Sequence, residues 1–182
     1  MLRPQKILSI PFVLLLALAA WQVSLANPAN PPAGGKDVVL TASEISAKIF
    51  PSNVFYRGQV APVEMRNTGG VHFADDSYVL AGLVDNSGYS TGLKEKYQGY
   101  LLTEVPLQIG GQTLKPGAYG FGFLEGAKFV VTDLGGNDVL RIDGKRDADL
   151  KRPVPLQVTA SADGSGYRLY KGRDFVTFSR AH

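Results

Sequence analysis

Residues 105–136 read VPLQIGGQTLKPGAYGFGFLEGAKFVVTDLGG. Three apolar runs lie in this stretch, Val105–Ile109, Ala118–Leu124 and Lys128–Leu134, parted by Gly110-Gly111, Pro116-Gly117 and Glu125-Gly126. Glycine supplies the positive φ of a tight reversal, and proline pre-sets the φ of the residue entering one. Short runs rich in Val, Phe and Tyr between such turns read as strands, because they are too brief for helices. Within Ala118–Phe123 a period of two puts Tyr119, Phe121 and Phe123 on one face and Gly120 and Gly122 on the other. Glycine inside a strand marks the close approach of another backbone or of a ligand. The aromatic row therefore reads in two ways, as core or as a platform for a flat ligand such as a sugar ring. Phe121 and Phe123 read as core, with Tyr119 at its rim.

The same pattern runs outward in both directions. Strands are expected over Val54–Arg66 (broken by Pro62), Tyr78–Val84, Tyr97–Leu102, Val139–Ile142, Val154–Ala160, Tyr167–Tyr170 and Phe175–Ser179. Gly135-Gly136-Asn137-Asp138 and Asp163-Gly164-Ser165-Gly166 supply further reversals. One helix signal stands out. Thr41 and Glu44 fit a capping box, Ile45 and Ile49 recur one turn apart, and Pro51 marks the stop. Short strands without helices between them predict a mainly β fold, an antiparallel β-sandwich or small barrel with one short N-terminal helix. An eight-stranded membrane barrel needs strands of about 9–11 residues, and these are mostly shorter.

The chain opens with an export signal. Arg3 and Lys6 precede an uncharged apolar run, Ile7 to Ala20, and Ser24-Leu25-Ala26 offers small residues for cleavage after Ala26. Residues 1–26 read as a signal peptide, which predicts a secreted or periplasmic protein. Pro11 and polar Gln22 and Ser24 argue against a retained membrane span. Asn27 to Lys36 is rich in Pro, Gly and Ala and reads as a flexible tether, leaving 37–182 as a single β domain. There is no cysteine, so disulfides, thiol nucleophiles, thiolate metal sites and a lipidated cysteine are all excluded. Without Arg3 and Lys6 the 19 basic and 16 acidic residues come within one charge of balance. No basic stripe stands out, so nucleic acid is excluded as a partner.

The run Ile109-Gly110-Gly111-Gln112-Thr113-Leu114-Lys115-Pro116-Gly117-Ala118-Tyr119 resembles a hairpin signature, I-x-G-x-x-L-x-P-G-x-Y, of a family of secreted bacterial β-sandwich domains. The resemblance covers about 30 residues when extended through Gly135, and implies an exported β-sandwich without implying an activity.

Few constellations carry chemistry. Of two histidines, His72 lies near Asp75, Asp76 and Ser77, but a catalytic triad is defined by geometry across the fold and not by adjacency. No Gly-x-Ser-x-Gly elbow accompanies it. Asp143, Asp147 and Asp149, or Asp85-Asn86-Ser87-Gly88, offer oxygens for calcium, which needs six to eight; Lys145, Arg146 and Lys151 oppose a cation at the first. Neither a metal nor another cofactor is expected. Tyr89, Tyr97 and Tyr100 fall in the polar segment Asp85–Leu102, and long tyrosine-bearing loops on a β scaffold are where recognition sits. These three and Tyr119 are the candidate ligand-binding residues. The leading expectation is a non-enzymatic exported domain that binds a glycan, small molecule or envelope protein, or serves as an envelope component. A carboxylate-dependent hydrolase using residues such as Glu64, Glu104 and Glu125, and a lipocalin-like carrier, are the alternatives. Converging carboxylates would mark the first and a large interior void the second.

Overall fold

The structure, a computed structural model, describes residues 35–45 and 49–181. The expected signal peptide, and all of the tether before Gly35, lie outside the described residues. Fourteen strands and one α-helix follow in order among these residues: β1 (Val38–Leu40), β2 (Asn53–Tyr56), β3 (Gln59–His72), β4 (Tyr78–Val84), α1 (Thr91–Lys96), β5 (Gly99–Thr103), β6 (Leu107–Ile109) and β7 (Gln112–Leu114), then β8 (Gly117–Leu124), β9 (Lys128–Thr132), β10 (Asp138–Asp143), β11 (Lys145–Arg146), β12 (Gln157–Ala160), β13 (Tyr167–Lys171) and β14 (Asp174–Arg180). One sheet has the order β1-β3-β4-β5-β8-β9-β10, with β2 on the far end of β3; the other runs β12-β13-β14-β6-β7, with β11 on β14. Every pairing is antiparallel. The sheets do not close on each other, so the fold is a sandwich and not a barrel.

Alternation along the strands builds the core between the sheets. Phe121, Phe129 and Val131 of the first sheet meet Leu107, Val176 and Phe178 of the second. Phe123 joins them and Tyr119 packs at the edge, so the aromatic row of β8 is structural. The void left between the sheets is about 10 Å³, room for at most one water.

The opposite face of the first sheet carries a second core. Residues preceding β2, the β2–β3 hairpin and the α1 segment fold over it and bury Phe50, Tyr56, Leu80, Tyr89, Tyr97 and Tyr100. The glycines of β8 make that cover possible. A methyl group at Gly122 would lie 2.7 Å from the carbonyl oxygens of Glu95 and Lys96, and one at Gly120 would lie 2.8 Å from the Tyr56 and Tyr97 rings.

Three expectations are corrected. The run Val54–Arg66 is two strands, because Arg57 (φ 52°) and Gly58 (φ 78°) make the left-handed pair of a two-residue hairpin turn. β3 then runs on through Pro62 to His72, with residues 64–67 bulged between the Val63–Val84 and Thr68–Gly82 pairs. The capping box does close at Thr41, whose N–H and Oγ1 donate to Glu44 Oε2 at 2.8 and 2.7 Å. Over the described residues 41–45 it caps a single turn, and residues 46–48, where the expected helix would continue, lie outside the described residues. The α-helix among the described residues is α1, in the tyrosine segment, where the pattern predicted a loop. Finally, Pro116-Gly117 is a crossover between sheets: β6 and β7 pair in one and β8 in the other.

Candidate functional site

The tyrosines do not form an exposed patch. Tyr97 is fully buried and Tyr89 and Tyr100 nearly so, because the segment expected to wave in solvent is folded onto the first sheet. The Tyr97 ring stacks on Tyr56 with centroids 3.7 Å apart and planes within 12°. Tyr89 meets both rings edge-on at 6.1 and 5.3 Å. Hydroxyls tie the cluster to the body: Tyr56 Oη and Thr132 Oγ1 are 2.8 Å apart, and Tyr89 Oη donates to the Tyr56 carbonyl at 3.0 Å. Burial raises the pKa of Tyr56, Tyr89, Tyr97 and Tyr100. Tyr119 stands apart from them, on the inter-sheet face, and donates to the Lys115 carbonyl at 2.9 Å.

An exposed polar constellation lies instead at the turn joining β3 to β4. His72 and Tyr78 are paired across the strands, and their rings stack at 4.3 Å within 4°. Asp76 follows in the left-handed region, φ 68°, where a residue with a Cβ is strained. That conformation brings Asp76 Oδ1 to 2.7 Å from His72 Nε2. The imidazole is thus fixed by a stack on one side and a carboxylate at one nitrogen. Asp75 makes a different set of bonds: Arg180 Nη2 lies 2.6 Å from its Oδ2, and Ser77 Oγ donates to its Oδ1 at 2.6 Å. Arg180, then Ser77, hold its carboxyl far below the usual range. Arg180 also rests over the Phe73 ring, 5.5 Å from its centroid.

Asp37 fastens the entry of β1 to the same place. It accepts from the Ala74 N–H at 3.1 Å and from Tyr167 Oη at 2.6 Å. Beside these groups opens a depression of about 410 Å³ bordered by Lys36, Val38, His72, Phe73, Asp75 and Asp76. The adjacency of His, Asp and Ser in sequence does not become a triad, because the Ser77 hydrogen is given to Asp75 and not to the imidazole. What remains is an oriented imidazole, a carboxylate with a free oxygen and a lysine around an open hollow, a set that can hydrogen-bond hydroxyl or amide groups. Asp37, Tyr167 and Arg180 enter this site from distant segments, and neither they nor the adjacent Tyr78 carried a sequence signal.

Carboxylates of both calcium alternatives are engaged within the chain. Asp85 Oδ1 accepts from the Ser87 N–H, Asp147 binds Tyr170 Oη and the Asp149 N–H, and Asp143 pairs with Lys128. No group of three or more His, Asp or Glu side chains suited to a metal occurs among the described residues. Carboxylates with a displaced pKa, Glu44, Asp75, Asp85, Asp133, Asp138 and Asp163, all move downward through hydrogen bonds to their acid groups. No helix of the described residues is long and apolar enough to cross a membrane. Compared with known proteins, the chain matches no protein-family model, no curated protein and no solved structure.

Proposed function

We propose that this chain is an exported, non-enzymatic β-sandwich that binds a polar ligand or partner on its surface, at the His72 rim. The observation that carries the reading is the contrast between a filled interior and a built surface hollow. A void of about 10 Å³ between the sheets holds no cargo, which weighs against a lipocalin-like carrier. A general acid in a hydrolase needs a carboxyl pushed upward, and the displaced carboxyls here are pushed downward. At the rim, by contrast, a strained backbone conformation is maintained at Asp76, and such outliers gather where function needs the geometry. The ligand this set suits bears hydroxyl or amide groups, as a glycan or a peptide does. Export rests on the leader read in residues 1–26.

Two histidines in the chain make the test simple, since the ring-proton NMR signals of His72 are identified by comparison with His72→Gln. Titration with a panel of soluble oligosaccharides and short peptides is expected to shift the His72 signals. Asp76→Gly is expected to abolish that response while leaving urea stability within about 1 kcal/mol of the parent, because glycine favours the left-handed conformation that aspartate strains. An apolar molecule retained in native mass spectra of protein from its own producer, or His72 signals unmoved across the panel, would overturn the reading.

A further inference from the structure

Tyr97 is the least economical residue of the second core. Its side chain is wholly buried, and its hydroxyl has no hydrogen-bond partner. Phenylalanine would fill the same volume and leave no polar atom unpaired, so the closed packing gives no reason for a hydroxyl here.

The segment that carries Tyr97 is weakly held. Helix α1 has six residues, no buried side chain, no side-chain cap and no acidic residue in its first turn, and isolated helices of this length do not persist in water. It is tied by one ion pair, Lys96 Nζ to Asp138 Oδ1 at 2.8 Å, and by side chains of the residues that flank it: Asn86 Nδ2 donates to the Lys94 and Tyr97 carbonyls and Gln98 Nε2 to the Glu95 carbonyl. What lies beneath is firm. The Tyr56 ring is anchored through Thr132, and its hairpin is clamped where the Arg57 N–H donates to the Leu134 carbonyl at 3.0 Å. Gly120 and Gly122 leave a floor without side chains. A depression of about 360 Å³ already opens at the end of α1, bordered by Glu95, Gln98 and Glu125.

We infer that Ser90–Tyr97 is a displaceable cover over a second binding site, in which Tyr97 occupies the place of a flat, uncharged, hydroxyl-bearing ring, the pyranose of a saccharide, stacked on Tyr56. Tyr97 lies against Tyr56 at the separation a stacked sugar ring adopts, and the hydroxyl-bearing side chains of Tyr56, Thr132 and Tyr89 lie around that stack. In the open state the Tyr97 hydroxyl regains partners, which gives the tyrosine its purpose. This site is separate from the His72 rim and does not rest on it.

Amide hydrogen exchange of the full chain tests the cover. The amides of Leu93, Lys94 and Tyr97 are expected to exchange at least about tenfold faster than those of β8 and β9. Tyr97→Phe is expected to slow that exchange about fivefold without altering β8 and β9. Added cellohexaose is expected to speed exchange in α1 and slow it in the β2–β3 hairpin. Exchange in α1 no faster than in β8, a faster rate in Tyr97→Phe, or α1 unmoved by cellohexaose would each overturn the inference. His72 signals read in the same samples keep the two sites apart: a shift there with α1 unmoved sinks the cover alone, and movement of α1 with His72 unmoved here and across the oligosaccharide and peptide panel sinks the rim alone.

Discussion

At Gly122 a Cβ would press on two backbone carbonyls of α1, and backbone yields less readily than a side chain. Gly122→Ala is therefore expected to lower stability by about 1–3 kcal/mol in urea unfolding, well beyond the small gain from the stiffer unfolded chain. Alanine tolerated without loss would show that α1 shifts freely over β8. The glycine alternation in β8 was legible from sequence as a place of close approach, and the structure identifies what approaches: helix backbone at Gly122 and two tyrosine rings at Gly120. The burial of Tyr89, Tyr97 and Tyr100 was not legible. Tyrosine has an apolar body and a polar tip, so its pattern suits a wet loop and a core equally, and the neighbours that cover it decide. Likewise His72 and Asp76 were visible as types, but their dyad depends on the φ of Asp76.

At the scale of elements, the turn at Arg57-Gly58 sets where Tyr56 lies. Both residues hold positive φ, and nothing crowds the Gly58 position, so only conformation constrains it. Gly58→Val is expected to cost about 1–2 kcal/mol, read as an earlier midpoint in urea with an unchanged slope. A neutral outcome would mean the hairpin is held by the Tyr56 and Arg57 contacts and not by its turn. Sequence reading missed this reversal because arginine is not a turn residue, and the apolar pattern runs through it. It also missed β1, β7 and β11, strands of two or three residues whose pairing with neighbouring strands, and not their own propensity, makes them strands. The capping box shows the converse. Its local hydrogen bonds form as read, yet one turn is all that local chemistry supports at residues 41–45.

Across the whole molecule, titration works against the fold from both ends of the pH scale. Asp75, Asp85, Asp133, Asp138 and Asp163 fall below their ordinary 3.8, and Glu44 below 4.5. As pH drops, the unfolded chain takes up protons first, so the stability these groups add above their unfolded pKa is lost as pH falls through the folded values. Tyr56, Tyr89, Tyr97, Tyr100, Tyr119 and Tyr167 are raised above 10.0, burial being the leading cause at each. Here the unfolded chain releases protons first, so stability is whole below the unfolded value and lost as pH rises toward the folded ones. Urea stability is expected to be level between about pH 5 and 9 and to fall on both sides, with the alkaline loss following tyrosinate absorbance near 295 nm. Alkaline unfolding that precedes tyrosine ionisation would contradict the burial of the cluster.

Sequence alone determined the class of this protein, a mainly antiparallel β fold (a sandwich or a small barrel) stabilised without disulfides, because strand alternation and turn chemistry are local and repeat through most of the chain. It also determined that Phe121 and Phe123 share one face, since period two leaves them one side, and the structure shows that face to be the core. Only the tertiary structure decided that the first sheet is covered on both faces, that the candidate tyrosines are packed inside, and that His72 is oriented at a surface hollow. Those outcomes depend on contacts between segments far apart in the chain, such as Asp37 with Tyr167 and Asp75 with Arg180, and no local pattern encodes which distant segment will close over a face or meet at a rim.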